Sequence, residues 1–446
     1  MRRAGNLFSN LRRWMGAHRR MVLGGLLAVA VVGVGAYLLV TQVIDEEETE
    51  PAPAPQAVVQ QVQSDEDEVE PEDLGFPEFA TKNTTRVAGV DPVADAAGVA
   101  LAVFPSTGGL EGPPAVALAD DVDWASGIAT ASLMAEPIGA PTLLTADGDV
   151  PHLTTGALKA LAPQGSAATD DRQVFRIGDA AEPEGLRSLE VTGESPAEVA
   201  AGVDRLRGRL TGDEPAHLLL VSSDEPAFAM PAAAWAARSG DPVLYVQRDS
   251  VPKPTTEALK RHEDTPAYVL GPESVVSKKA FEQVEKAAPG AKRIAAAPDP
   301  VESAIEFARY TDGTFGWNIN DPGHGFVLAD IDRPSDAAAA APLSGSGTWG
   351  PLLLTDDSEK LPSALRGYLL DLKPGYLNDP TRAFYNHVWL IGDESAISVA
   401  FQAQVDELAE LAKVKSGSGG SVLGPPPGTP DAEAQSDQPG AGANRP

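Results

Sequence analysis

Short apolar runs alternate with Ala-rich helical segments along most of this chain, and the alternation recurs three times. Gly139-Ala140-Pro141-Thr142-Leu143-Leu144-Thr145 returns as Gly240-Asp241-Pro242-Val243-Leu244-Tyr245-Val246 and again as Trp349-Gly350-Pro351-Leu352-Leu353-Leu354-Thr355. Each copy is an apolar run behind a proline, and each follows a helical segment. Self-similarity at a near-constant spacing points to related units, each about the size of a small domain. Apolar runs this short, separated by segments of helical period, predict the buried strands of a parallel sheet with helices packed on it.

In the first unit the pattern predicts a helix over 93–104, a strand over 115–119, a helix over 124–135, the strand 141–145, a helix carrying Leu153, Ala157, Leu158 and Leu161, and a last strand from Val174 into the turn at Gly178-Asp179. The second unit repeats this order: a helix over 196–210, the strand 217–221, a helix over 228–238, the Pro242 strand, a helix over 255–261 and the strand 267–270. The third matches again, with a helix over 301–310, the strand 326–329, the Pro351 strand and the strand 387–391. It differs by an inserted Gly-, Asn- and Asp-rich loop over 311–324. The expected fold class is therefore α/β: three tandem Rossmann- or flavodoxin-like modules, 81–190, 191–292 and 293–412, each with a parallel sheet.

The two ends read differently. Residues 21–44 carry no charge and are long enough to span a bilayer. That length exceeds the apolar region of a cleaved signal peptide, so the segment reads as a retained transmembrane helix. Six arginines precede it within 1–20, and Asp45-Glu46-Glu47-Glu48 follows it. The positive-inside rule then places the N-terminus in the cytoplasm and the bulk of the chain outside, facing the wall. Residues 45–80 form an acidic, Pro-rich stalk, stiffened by Pro51-Ala52-Pro53-Ala54-Pro55. The tail 413–446, rich in Gly, Ser, Pro and Asp, reads as disordered.

Charge and composition narrow the function. The formal net charge is −30. With the six N-terminal arginines and the twelve acids of 45–73 set aside, residues 74–446 retain −24, so the folded part is itself acidic. Such a field opposes nucleic-acid binding, which needs clustered Lys and Arg. The absence of cysteine excludes disulfides and thiolate metal sites. None of the six histidines forms a His-Glu-x-x-His pair, and no Gly-x-Gly-x-x-Gly opens a helix. Nothing in the sequence names a reaction.

Certain residues resemble a known family. Arg86-Val87-Ala88-Gly89-Val90-Asp91, Asp123-Trp124-Ala125-Ser126-Gly127-Ile128-Ala129, the Pro-x-Leu-Leu-Thr runs at 141–145 and 351–355, and the turns Gly271–Ser277 and Gly392–Ser398 resemble the cell-wall-binding repeat, type 2. That family occurs in tandem threes in surface proteins of Gram-positive bacteria, and the resemblance, over about 84–412, suits an actinobacterial type. It implies a compact pseudo-threefold unit, without catalysis, that holds a protein on an anionic wall polymer or a peptidoglycan-linked glycan through the Pro-Leu-Leu stretch. The sequence departs from the family where an Arg and a Thr are usual: Pro92 and Asp95 stand there.

The candidate polymer-binding residues combine the resemblance with position. Ligands of parallel sheets bind outside the carboxyl ends of the strands. There lie Asp120, Asp121, Asp123 and Trp124 in the first unit, Ser222, Ser223 and Asp224 in the second, and Asp330, Asp332 and Asp336 in the third. The Pro-Leu-Leu runs add Pro141, Leu143, Leu144, Pro242, Pro351, Leu353 and Leu354. Two readings of the Asp and Ser residues stand side by side: contacts to sugar hydroxyls or cations, and helix N-caps. No resident cofactor is expected, a bridging divalent cation being the one ion such acids could use. Trp124, Trp235 and Trp349 fall near equivalent places, suited to sugar stacking or to packing. An extracytoplasmic small-ligand or sensory domain is the other functional class that the same crevices allow.

Overall fold

The computed structural model describes residues 80–105 and 112–414. The expected basic segment, the expected membrane span at 21–44, nearly all of the stalk and the tail from 415 lie outside the described residues. Among the described residues no helix is long and apolar enough to cross a membrane.

Strand β1 (Thr84–Val87) and helix α1 (Pro92–Val103) come first. Next are β2 (Val116–Asp120), α2 (Trp124–Thr130, continued by a 3-10 turn to Met134), β3 (Thr142–Thr145), α3 (His152–Leu161), β4 (Val174–Ile177) and β5 (Ser188–Val191). The middle of the chain gives α4 (Pro196–Thr211), β6 (Leu218–Ser222), α5 (Pro226–Ser239), β7 (Val243–Val246), α6 (Lys253–Arg261), β8 (Ala267–Leu270), α7 (Lys278–Ala287) and β9 (Lys292–Ile294). The last part gives α8 (Pro300–Arg309), β10 (Gly325–Asp330), α9 (Asp336–Gly345), β11 (Leu352–Thr355) and α10 (Ser363–Asp371). It closes with β12 (Gly375–Tyr376), β13 (His387–Ile391), α11 (Val399–Ala409) and β14 (Ala412–Lys413).

Three four-stranded sheets result, in the orders β3-β2-β4-β5, β7-β6-β8-β9 and β11-β10-β13-β1. Every pairing in them is parallel. The expected α/β class and parallel sheets are thus observed. The sheets share one order, with a twist in how they are filled. The strand that opens each stretch of chain completes the sheet before it: β5 joins β4, and β9 joins β8. Strand β1, at the start, joins β13 near the end, with Arg86 opposite Leu390. Chain order therefore closes into a ring.

The opening strands carry little hydrophobic signal, which is why the apolar pattern passes over β5 and β9. Strand β5 reads Ser-Leu-Glu-Val and β9 reads Lys-Arg-Ile, short and charged as edge strands commonly are. The domain limits expected at 190/191 and 292/293 fall within these two strands.

The helix after each opening strand starts in nearly the same way in all three units. Asp91, Ser195 and Asp299 each accept a hydrogen bond from the N–H three residues on, at 2.8, 3.4 and 3.0 Å. Each is followed by proline at the first helical position. The cap satisfies an otherwise orphaned N–H, and proline, having none, is pre-set for the helix. Pro92, a departure from the family pattern, is thus the ordinary start of α1.

Arginine fastens the ring. Arg86 of β1 is fully buried and donates to the carbonyls of Gly392 and Asp393, both at 2.9 Å, and to Gln402 at 3.0 Å. Arg293 of β9 holds the corresponding turn of the second sheet, donating to the carbonyls of Gly271 at 2.8 Å and Val276 at 2.6 Å. In the first sheet the arginine has crossed to the neighbouring strand. Arg176 of β4 donates to the Ala180 carbonyl and pairs at 3.2 Å with Glu190, its register partner on β5.

The sheets meet over three central helices, α2, α5 and α9, which pack on one another. Ala125 and Ala129 of α2, Ala232 to Ala234 with Ala236 and Ala237 of α5, and Ala337 to Ala341 of α9 are all buried. Alanine is the best helix former and loses no side-chain entropy on burial. A helix that is apolar all round belongs in a core. Here small side chains let backbones come close. A Cβ added to Gly127 would lie 3.0 Å from the Ala338 Cβ, and one on Gly345 would lie 2.7 Å from the Ala237 carbonyl oxygen.

The inserted loop over 311–324 is not a surface excursion. Phe315 is fully buried and stacked on Tyr268 at 3.7 Å between ring centroids, and Trp317 packs edge-on against Trp235 at 5.5 Å. The loop fills the space between the second and third sheets with aromatic rings that join Trp235 of α5.

Overpacking the helix centre should therefore be costly. Ala338→Leu is expected to lower stability by about 1–3 kcal/mol. Lys159→Leu, on the exposed face of α3, should change it by roughly 0.5 kcal/mol or less. Urea unfolding of the two variants reads the difference, and equal effects would contradict the packing argument.

Candidate functional site

The turns at the carboxyl ends of the strands, where the parallel sheets are expected to have their crevices, follow one local plan. Asp120 and Asp330 end the first strand of their sheets and accept the N–H two residues on, at 3.2 and 2.8 Å. Ser222 does the same for the N–H of Asp224 at 3.0 Å. These are side-chain turns that bend the chain from strand into helix. Their geometry explains the Asp and Ser at these places without a ligand.

Asp123 is the N-cap of α2 and accepts from Ser126 N–H at 3.0 Å. Trp124 comes next, half-buried, with its ring edge-on to Tyr245 at 5.9 Å. The hydroxyl of Tyr245 donates to the Ala125 carbonyl at 2.7 Å, so the tyrosine that replaces a Leu of the repeated run ties β7 to α2. Ser223 bonds the Val246 carbonyl at 3.3 Å, and Asp224 accepts from Arg248 N–H at 2.9 Å. Asp224 thus staples the turn after β7 rather than capping α5. Asp332 is exposed beside its crevice.

Several candidate residues have no access to a polymer. Pro141, Pro242 and Pro351 are buried, and Leu143, Leu144, Leu353 and Leu354 are 0–1% exposed. A β-strand between two helical layers has no free face, so the Leu pairs form core. Pro242 borders an opening. It lies on the rim of a cavity of about 500 Å³ at the amino ends of the second sheet, together with Arg207, Asp241, Arg261 and His262. Trp235 is buried, donates to Asp241 at 2.8 Å and belongs to the aromatic core. Trp349 is exposed and lies before β11, at the opposite end of its strand from the crevice. The three tryptophans are not equivalent.

Asp336 is also closed off. It is fully buried at the start of α9 and pairs with Arg333 at 2.7 Å, while Arg333 reaches Asp95 of α1 at 2.5 Å. Asp95 accepts the N–H of Gly89 at 2.9 Å and of Gly392 at 3.2 Å. One guanidinium therefore serves two buried carboxylates where the first and third sheets meet. The hydroxyl of Ser335 adds a bond to the Asp121 carbonyl at 2.5 Å across the same seam. Burial, followed by the charge of Asp336, raises Asp95 well above the usual carboxylate range. Burial pushes Asp336 up to about 7, against the attraction of Arg333 and with the help of Asp330 and Asp91. The sequence showed Asp95 as a departure from the family. Its partner, Arg333, is more than 200 residues away, so no local spacing could reveal the triad.

The crevices differ in charge. In the first, burial raises Asp120 and Asp121; the charges of Asp123, Asp179 and Asp147 raise Asp120 further, and those of Asp120, Asp147 and Asp91 raise Asp121. In the second, Ser222 and Ser223 stand in the corresponding places. Among the described residues no group of three His, Asp or Glu side chains is placed to hold a metal ion.

Three parallel sheets around a common helical centre define a tandem α/β protein. Residues 191–281 match the model of the Cell wall binding domain 2 (CWB2) family, so the chain carries a domain of that family, centred on the second sheet. Two solved structures are similar to it. Cwp6 from Clostridium difficile is 17% identical with a TM-score of 0.57, over 75% of this chain and 49% of that one. Cwp8 from Clostridium difficile is 18% identical with a TM-score of 0.56, over 74% of this chain and 52% of that one. This chain thus spans about half the length of either, and at these identities the likeness is one of fold. None of the curated proteins matches the sequence significantly.

The triad lends itself to a pH test. The folded pKa of Asp336, about 7, lies above its unfolded value. Between roughly pH 4 and 7 the folded protein keeps a proton that the unfolded chain releases, so this group's contribution falls as pH rises through that window. Asp336→Asn should remove that slope and gain stability relative to the parent between pH 5 and 8. Parallel pH dependences in urea unfolding would contradict the assignment.

Proposed function

We propose that this protein is a non-catalytic component of the cell envelope. It is anchored in the membrane by residues 21–44 and binds an anionic or peptidoglycan-linked wall glycan through three related units. The observation that carries this reading is the family match over 191–281, joined to the same strand order in the two other sheets. The uncharged stretch and the acidic stalk fit a protein held at the membrane with its folded part reaching outward.

Contact with the polymer falls to exposed turn residues, since the Leu pairs are core. The second crevice is the best suited. Ser222 and Ser223 replace the carboxylates of the first, and the turn beside it carries the exposed Arg248. An anionic chain meets less repulsion there than over Asp120, Asp121 and Asp147. In the first and third crevices a divalent cation would have to bridge.

The test is sedimentation of a soluble piece, Glu72 to Lys415, with purified sacculi that keep or lack their secondary polymers, with and without calcium. Co-sedimentation with polymer-bearing walls is expected, weakened about tenfold by Arg248→Glu. Failure to sediment at every salt and cation concentration would rule the reading out.

A further inference from the structure

We propose that a cavity at the amino ends of the third sheet's strands is a binding site for an uncharged sugar ring. The cavity, about 460 Å³, lies where the end of α1 meets the segments before β10, β11 and β13. Its size falls in the range of small-ligand sites. His324, Ser346, Thr348, Tyr385, His387 and Trp389 line it, and glycine or aliphatic residues complete the wall. No Asp, Glu, Lys or Arg is among them, in a chain with 64 acids and 34 bases. The cavity near Pro242, at the amino ends of the second sheet, is lined by both signs of charge. The neutral lining of the third sheet's cavity is therefore not shared by the second.

Its wall is fixed before any ligand arrives. Asn386 is buried, accepts the N–H of Gly323 at 2.8 Å and of His324 at 3.2 Å, and donates to the Leu372 carbonyl at 2.8 Å. A Cβ on Gly323 (φ +110°) would meet the Phe384 Cβ at 2.9 Å, so only glycine lets the 384–386 segment close against it.

The polar inventory suits hydroxyl groups. The Nε2 of His387 is engaged with Thr85 at 3.0 Å and that of His324 with Asp321 at 3.2 Å. Their Nδ1 atoms, the Trp389 indole N–H and the side-chain hydroxyls of Ser346 and Thr348 have no hydrogen-bond partner among the described residues. Burial holds His387 below its usual range, which keeps that imidazole neutral at neutral pH. Donors and acceptors without charge, set beside two aromatic rings, match the alternating polar edges and apolar faces of a pyranose. A charged ligand would find no counter-ion. This site is separate from the carboxyl-end crevices and does not depend on them.

The test uses the full-length chain in a detergent without a sugar headgroup, studied by saturation-transfer NMR. The probes are methyl glucoside, N-acetylglucosamine and N-acetylmannosamine, with glucuronate as the charged control. Transfer to the ring protons of at least one neutral sugar is expected, with roughly millimolar affinity. It should weaken at least about tenfold in Tyr385→Ala, at an exposed ring, and in Ser346→Asp, which adds a charge. Arg248→Glu, beside the second crevice, should leave it unchanged while weakening sacculus binding, so the two readings can fail separately. A wall-derived oligosaccharide arm distinguishes the sources: tighter binding than the monosaccharide marks a unit of a chain, and equal binding marks a free sugar. No transfer to any neutral sugar, stronger transfer to glucuronate, or undiminished transfer in both cavity variants that unfold like the parent would overturn the proposal.

Discussion

The close approach of three alanine-rich helices is the constraint on which this structure depends. Helices α2, α5 and α9 can share one centre only because their contacts are Ala on Ala and Gly on Ala. Side chains of this size bury little area individually, but dense packing recovers dispersion that a looser contact loses. Larger apolar residues fill the strands, and Phe315 and Trp317 join Trp235 of α5 to fill the wider gap between the second and third sheets.

Strand exchange turns that contact into a ring. Each opening strand hydrogen-bonds one sheet while the helix after it packs on the next, so no sheet is complete from its own stretch of chain. Arg86, Arg293 and Arg176 lock the edge strands by donating to turn carbonyls, which removes the cost of leaving those carbonyls unpaired. The Asp95–Arg333–Asp336 triad lies on the seam that β1 closes. Buried ion pairs of this kind add little net stability but penalise misassembly, because a displaced partner leaves a buried charge alone.

Much of this was legible in the sequence, and the reasons for the rest are specific. Buried central strands announce themselves as apolar runs, so β2, β6 and β10 and the Pro-led strands were readable. The edge strands β5 and β9 were not, because Ser-Leu-Glu-Val and Lys-Arg-Ile carry no core pattern. The family resemblance rested in part on Arg86 and implied binding through the Pro-Leu-Leu runs, whereas the structure makes Arg86 a clamp and the leucines core. Tertiary contacts decided that, and sequence adjacency does not report them. The sugar cavity draws on His324, Ser346 and His387 from three separate segments, with no spacing to link them.

If the ring is one cooperative body, damage at its closure must be felt on the far side. Native-state hydrogen exchange of Arg86→Ala, read by mass spectrometry, tests this directly. The account predicts that the most protected amides of β6, in the second sheet, lose the same protection free energy as those of β10, in the sheet that β1 completes. Faster exchange confined to the third sheet, with β6 unchanged, would contradict it and leave three units that fold independently.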